Sequence, residues 1–291
     1  MEETKEYCED EFIDHMVYKE LSKREKNSKR REILEKLSKK EYEHYQFWLN
    51  YSPNYQPKIN KFFILSLIFL RFLFGLTFTL KLLERHERDV IANYKNFLSL
   101  LPDDKRSYLE NIIKEEQEHE NYFISQLDEK IVKYMSFIVL GLADAIIEIT
   151  GVHAGFLGVT NSTLIAGIAG LVVGFAAAIS MASAAYLQAK HDPSKSPTFS
   201  ALTTGVAYLG AVTLLAFPYF ITKDMLLAFS LSLLFAILLI ASFTFYGAVI
   251  LEKSFIKEFL ISVSLTLGTA LGTFLFGEFL GSIFGVRRIF F

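Results

Sequence analysis

The chain has a single cysteine, Cys8, in 291 residues. A lone thiol cannot close an internal disulfide, and it excludes a Cys-x-x-Cys zinc or rubredoxin-type iron centre within the chain. Net charge is nearly missing too, at −2, so nucleic-acid binding through a basic patch has no support. The first residues are charged rather than apolar, with Glu2, Glu3, Lys5 and Glu6. No cleavable secretory signal is predicted, and the water-soluble part is expected in the cytoplasm. The most informative shortage is local. Of the 62 Asp, Glu, Lys and Arg residues, 48 fall in the first 133 positions and only 14 in the remaining 158. The length suggests two domains, and the charge drop divides them at residues 1–130 and 131–291.

The first part reads as helices. Residues 4–25 and 29–50 are rich in Glu, Lys and Leu, lack internal Gly and Pro, and flank a Lys26-Asn27-Ser28 turn. Ser52 to Pro57 ends this pair. Pro102-Asp103-Asp104 divides a second pair, 81–100 and 104–128. Two helix-turn-helix units joined by a connection are the order a four-helix bundle needs. The connection contains Phe62 to Leu80, nineteen mostly apolar residues that hydropathy alone reads as a membrane span. A crossing there would put the two helix pairs on opposite sides of the bilayer, and Arg71 at its centre is costly in lipid. The expectation is an extended third helix lying against the membrane surface or a partner subunit.

What is present in this part is a repeated pattern. Glu-x-x-His occurs at Glu41 to His44 and at Glu116 to His119, with Glu11 30 residues before the first copy and Glu87 29 before the second. Residues three apart share a helix face, so each copy aims a carboxylate and an imidazole at one spot. Four such helices supply the ligand set of a di-iron carboxylate centre. A mixed carboxylate and imidazole set suits Fe or Mn better than Ca or Zn. The bland alternative is a set of solvated charged faces.

Beyond residue 130 five spans are expected, near 134–157, 163–188, 200–221, 225–250 and 256–284. Lys190 and Lys195 in the second loop and Lys253 and Lys257 in the fourth place these loops and the N-terminal part inside; Arg287 and Arg288 then lie outside, against the rule. On the first span Asp144 and Glu148 are four apart, with Gly141, Gly151 and Gly155 near the same stripe. Carboxylates in hydrocarbon usually mark an ion path, and glycines beside them admit a second helix. One candidate is the next span, with Gly167, Gly170, Gly174 and Ala178. Met181 on it either offers a thioether to a metal ion or simply packs. His153, opposite Asp144 by helical phase, reads as a satisfied interfacial histidine, and Glu278 is left without a role.

Asp10-Glu11, Tyr18, Glu41-Tyr42-Glu43-His44, Glu87, Tyr94 and Glu116-Gln117-Glu118-His119 resemble the ferritin-like domain of the rubrerythrins. That resemblance implies a di-iron site with Glu11, Glu41, His44, Glu87, Glu116 and His119 as ligands, Glu84 as an additional or switching one, and His15 and His86 outside the set. Gly141-Leu142-Ala143-Asp144 with Glu148, Gly167 to Ser180, Ser180-Met181-Ala182 and Tyr186-Leu187 resemble the first two spans of the vacuolar iron transporter family. This second resemblance implies a homodimer exchanging Fe(II) or Mn(II) against protons, with Asp144 and Met181 on the path and Glu148 beside them. Ala185 stands where that family commonly has a Glu, and the metal-binding insertion between its second and third spans is absent. Together the halves resemble the membrane-bound ferritin group. The expectation is thus an all-α protein: a cytoplasmic ferritin-like four-helix bundle followed by five transmembrane helices in the cell membrane, exporting Fe(II). The alternatives are a membrane-anchored ferroxidase or peroxidase, and a bundle that only senses iron.

Overall fold

The computed structural model describes residues 3–98, 103–125 and 130–284, with side chains at all of these except 3, 84, 86–89, 96, 103, 104, 117–125, 130 and 131. All regular structure among the described residues is α-helical. The chain divides into two compact units, Met1–Glu129 and Lys130–Phe291.

Unit 1 holds α1 (Glu3–Arg24), α2 (Ser28–Leu49), α3 (Lys61–Phe74), α4 (Leu76–Leu98) and α5 (Asp103–Ser125). Asn27 starts α2 by accepting a hydrogen bond from the Arg30 N–H at 3.1 Å. Asn60 starts α3 by accepting from the Phe62 and Phe63 N–H groups, which satisfies donors that a helix start leaves unpaired. One cluster joins Val17, Tyr18 and Leu21 of α1, Leu34 and Leu37 of α2, Leu67 of α3 and Leu80 of α4. A second, aromatic cluster joins Tyr7 of α1, Phe47 and Trp48 of α2, Tyr94 of α4 and Leu109 and Ile112 of α5. Helices α1, α2, α4 and α5 therefore share buried contacts around one interior.

The apolar run 62–80 is not one extended helix. Gly75, at φ 91° and ψ 170°, takes a backbone conformation that a side chain strongly disfavours, and it splits the run between α3 and α4. The 14 residues of α3 reach about 21 Å at 1.5 Å per residue, short of the hydrocarbon thickness. Ile64 and Leu67 face the core. Arg71, which sequence reasoning treated as a cost in lipid, donates from Nη2 to Glu25 Oε2 at 2.7 Å. Burial alone would raise the Glu25 carboxyl, but the Asn27 N–H and the Arg71 guanidinium hold it below its usual 4.5. Its stabilising contribution is therefore complete above the ordinary carboxylate range and is lost as pH falls through the lowered value. Glu25→Gln is expected to cost about 2 kcal/mol at neutral pH and to flatten the loss of melting temperature on acidification. Thermal melts of both chains between neutral and acid pH check this; parallel pH profiles would refute it.

Unit 2 holds α6 (Lys130–Val159), α7 (Thr163–Ala189), α8 (Pro197–Ala216), the short α9 (Pro218–Ile221), α10 (Met225–Ile250) and α11 (Phe255–Phe284). Ser162, Ser196 and Asp224 cap the starts of α7, α8 and α10 with side-chain oxygens. Five stretches are long and apolar enough to cross a membrane: Val132–Val159, Thr163–Ala189, Pro197–Ile221, Met225–Ile250 and Phe255–Phe284. Their outer faces carry exposed Val172, Phe175, Leu202, Leu238, Leu265 and Phe276, as expected where lipid replaces water. This architecture fits an integral membrane protein.

Helix α6 is the hub, touched by α7, α8, α10 and α11. Its glycines decide how closely. A Cβ on Gly151 would stand 3.1 Å from Thr269 Cγ2, and one on Gly277 of α11 would stand 2.3 Å from the Gly155 carbonyl oxygen. The Gly151 and Gly155 stripe is thus met by α11 rather than by α7, correcting the candidate raised from sequence. Gly141 instead admits the Thr204 carbonyl of α8.

Candidate metal centre

Glu41 and His44 lie one helical turn apart on α2, so both point into the interior of unit 1. Glu11 of α1 and Glu116 of α5 reach the same spot. Ligand atoms of Glu11, Glu41, His44 and Glu116 all lie within 4.8 Å of one another, and all four residues are buried. His44 Nδ1 is the common point: it is 2.6 Å from Glu116 Oε1, 3.4 Å from Glu41 Oε2 and 3.6 Å from Glu11 Oε2. Yet neither His44 Nδ1 nor Glu116 Oε1 has an aligned hydrogen bond. Buried polar atoms that converge without satisfying one another carry a desolvation penalty, which a cation among them would remove. The donor set of three carboxylates and an imidazole is one that transition metals accept. This group could hold a metal ion, and the residues present fit one.

Supporting groups surround it. Tyr94 of α4 donates its hydroxyl to Glu11 Oε1. Glu115 Oε2 lies 3.5 Å from His44 Nε2 and accepts from Lys40 Nζ at 3.1 Å, so the imidazole is bracketed on its far side. A small, partly open cavity beside the carboxylates is lined by Asp10, Glu11, Asp14, Glu41, Val90, Ile91, Tyr94 and Glu116. Asp14 and Glu115 were not singled out from sequence. Asp14 stands three residues after Glu11, the spacing that pairs Glu41 with His44, and this was the available signal.

The protonation of the site follows from crowding. Burial pushes the Glu41 carboxyl well above 4.5, with the Glu116 charge adding to it, and burial also raises Glu116. Burial and the Glu11, Asp10 and Glu116 charges push Asp14 far up as well. For His44 burial acts downward, but the nearby Glu11, Glu116 and Glu41 carboxylates win and leave it well above 6.5. Glu11 ends below 4.5, because His44, Glu41 and Tyr94 outweigh its burial.

Of the seven residues expected at this site, the structure brings together Glu11, Glu41, His44 and Glu116. Glu84 and Glu87 belong to α4 and His119 to α5, but their side chains lie outside the described residues, as does that of His86. His15 is not part of the group: its Nδ1 lies 2.6 Å from the Ser38 carbonyl oxygen, tying α1 to α2.

In unit 2, Asp144 and Glu148 are half-buried one turn apart on α6, and Glu148 accepts the Tyr208 hydroxyl of α8. Met181 is partly buried against the cluster of Ala145, Ile146 and Tyr208. His153 is not interfacial. It is fully buried, its ring lies 4.1 Å from that of Tyr219, and its Nδ1 is 3.5 Å from Ser232 Oγ. Its Nε2 has no hydrogen-bond partner among the described residues and sits where a Cβ on Gly170 would fall, 2.4 Å away. Glu278 Oε1 is likewise buried without a partner among them.

Comparison of the chain with protein-family models, with curated proteins and with solved structures gave no match in any of the three.

Proposed function

We propose that this protein is a homodimeric transporter of the cell membrane that moves Fe(II), with Mn(II) as the second candidate cargo, out of the cytoplasm in exchange for protons. Unit 1 is then a cytoplasmic, ferritin-like four-helix bundle that collects the ion before export, and the whole belongs with the membrane-bound ferritins. The observation that carries this reading is the buried convergence of Glu11, Glu41, His44 and Glu116 in the same chain as five span-length helices, one of which bears Asp144 and Glu148.

In unit 1, three carboxylates and an imidazole from α1, α2 and α5 replace the water shell of the cation. Tyr94 fixes the orientation of Glu11, and Glu115 places a carboxylate beside the far nitrogen of His44. The bound metal would supply one-electron redox chemistry or act simply as captured cargo. In unit 2, Asp144 and Glu148 offer oxygen ligands on one turn of α6, and the Tyr208 hydroxyl holds Glu148 in place. Ionised, this pair attracts a dehydrated cation; protonated, it lets the cation go, which is the elementary step of an antiport. Met181 packs against the apolar cluster that includes Ala145, Ile146 and Tyr208, and its thioether is either a soft ligand on the path or packing.

Reconstitution into liposomes tests the reading. Fe(II) flux driven by a pH gradient is expected in the parent chain and is expected to be abolished in Asp144→Ala, with metal bound by unit 1 unchanged. Undiminished flux in that variant removes the path. A second reading, a membrane-anchored ferroxidase or peroxidase, is favoured by one feature: the oxidisable Tyr94 phenol bonded to Glu11. It predicts oxygen or peroxide consumption with Fe(II), lost in Glu41→Ala, and no flux at all.

A further inference from the structure

Among the described residues of unit 1, the outer face of α3 is the least sheltered apolar surface. Phe62 is 81 % exposed, Leu65 61 %, Phe69 60 % and Phe72 84 %. Their spacing of three, four and three residues puts them on one stripe of the helix, opposite Ile64 and Leu67 in the core. Phe62 and Phe72 are more exposed than Phe284, which at 74 % is the most exposed phenylalanine on the five span-length helices. A continuous face of this kind marks a contact with lipid or protein.

Charge decides between the two. From Tyr45 to Leu83 the sequence contains no Asp or Glu, while Lys58, Lys61, Arg71 and Lys81 are present. Arg71 is taken by Glu25, but Lys58 and Lys61 are exposed at the start of α3. Two copies of this face would bring lysines together with no acid on the helix to meet them. A leaflet containing anionic phospholipid offers the complementary charge as well as the apolar layer.

We infer that α3 lies in the plane of the membrane interface, with Phe62, Leu65, Phe69 and Phe72 among the acyl chains and Lys58 and Lys61 at anionic headgroups. Unit 1 thereby binds lipid by a surface of its own, whatever it binds at the Glu/His group. The helix is too short to cross, and the Arg71 and Glu25 pair ties its inner side to the turn after α1, so only the outer stripe enters the lipid.

The full chain in nanodiscs of phosphatidylcholine and phosphatidylglycerol tests this. Spin labels are placed one at a time at positions 65, 69 and 72, at Glu32 of α2 as a water reference, and at Leu238 of α10 as a lipid reference; Cys8 is fully buried, and the unsubstituted chain reports its background. The three α3 labels are expected to show an oxygen-to-nickel-chelate accessibility ratio several-fold above that at Glu32 and close to that at Leu238. Lys58→Glu with Lys61→Glu is expected to lower the ratio in these discs. A ratio matching Glu32 would overturn the inference by placing the face in water. Low accessibility to both reagents would overturn it too, with label-to-label broadening identifying a second copy and its absence identifying cover by the same chain. A ratio unmoved by the charge reversal would overturn the assignment to anionic lipid.

Discussion

Glu116→Ala is expected to weaken metal binding by unit 1 by more than about 100-fold, since loss of a group that merely supports a ligand already costs 10- to 100-fold. Glu116 Oε1 is the nearest carboxylate atom to His44 Nδ1, so its removal takes away a ligand and leaves the imidazole without its closest counter-charge. Equilibrium dialysis against Fe(II) or Mn(II), with metal analysis of the retained protein, reads the result; binding within a few-fold of the parent would mean that the ion is held elsewhere. The acid–base state of the site adds a signed expectation. Glu41 and Glu116 titrate above the usual carboxylate range and His44 above the usual imidazole range. Each raised group stabilises the metal-free fold below its unfolded value and loses that contribution as pH rises through its folded one. The metal-free protein is therefore expected to melt at lower temperature as pH rises above the ordinary carboxylate and imidazole ranges through these raised values, opposite to the trend from Glu25. Metal uptake requires the same protons to leave, so affinity should climb as pH rises. Melts with and without metal should diverge as pH rises; curves that stay parallel would count against the four residues as the ligand set.

The second large effect is expected from Gly277→Ala. Its new Cβ would stand 2.3 Å from the Gly155 carbonyl oxygen and 3.2 Å from the Gly155 Cα. Both are backbone atoms, so no side chain can swing aside, and α6 and α11 must separate along their contact. Overpacking of this kind costs about 3 kcal/mol or more. Gly268 on the same helix is the matched control, because a Cβ there would meet nothing within 4 Å; alanine at that position should be neutral or stabilise by about 0.5 kcal/mol. Thermal unfolding in detergent compares the two. Equal melting temperatures would show that the close approach of α6 and α11 is not needed for the stability of unit 2.

The sequence made one class of feature legible and hid another. Glu41, His44 and Glu116 stood out because helical spacing repeats, and a repeat of the same two residue types is rare on charged helices. Glu11 followed from its matched distance. Asp14 and Glu115 escaped because each is one more acid among many on its helix; only the fold shows that Asp14 lines the cavity and that Glu115 reaches the far nitrogen of His44. The five spans were readable from length and hydropathy, with ends within a few residues of the helices observed. Hydropathy could not show the break at Gly75, since it sums side chains and is blind to backbone angle. It could not choose between α7 and α11 as the partner of Gly151 and Gly155 either, because both offer small residues. Helical phase sets His153 opposite Asp144 but does not show its neighbours; burial against Tyr219, Ser232 and Gly170 depends on three other helices at once.

The aromatic cluster beside the candidate ligands has a practical side. The chain contains one tryptophan, Trp48, whose ring lies 4.7 Å from that of Tyr94, the residue bonded to Glu11. Unit 2 contributes no indole at all. Emission excited at wavelengths that the 14 tyrosines do not absorb therefore comes from a single point, one ring removed from the place where an ion would arrive, and quenching by paramagnetic Fe(II) or Mn(II) would report filling of that place in the intact protein without any added dye.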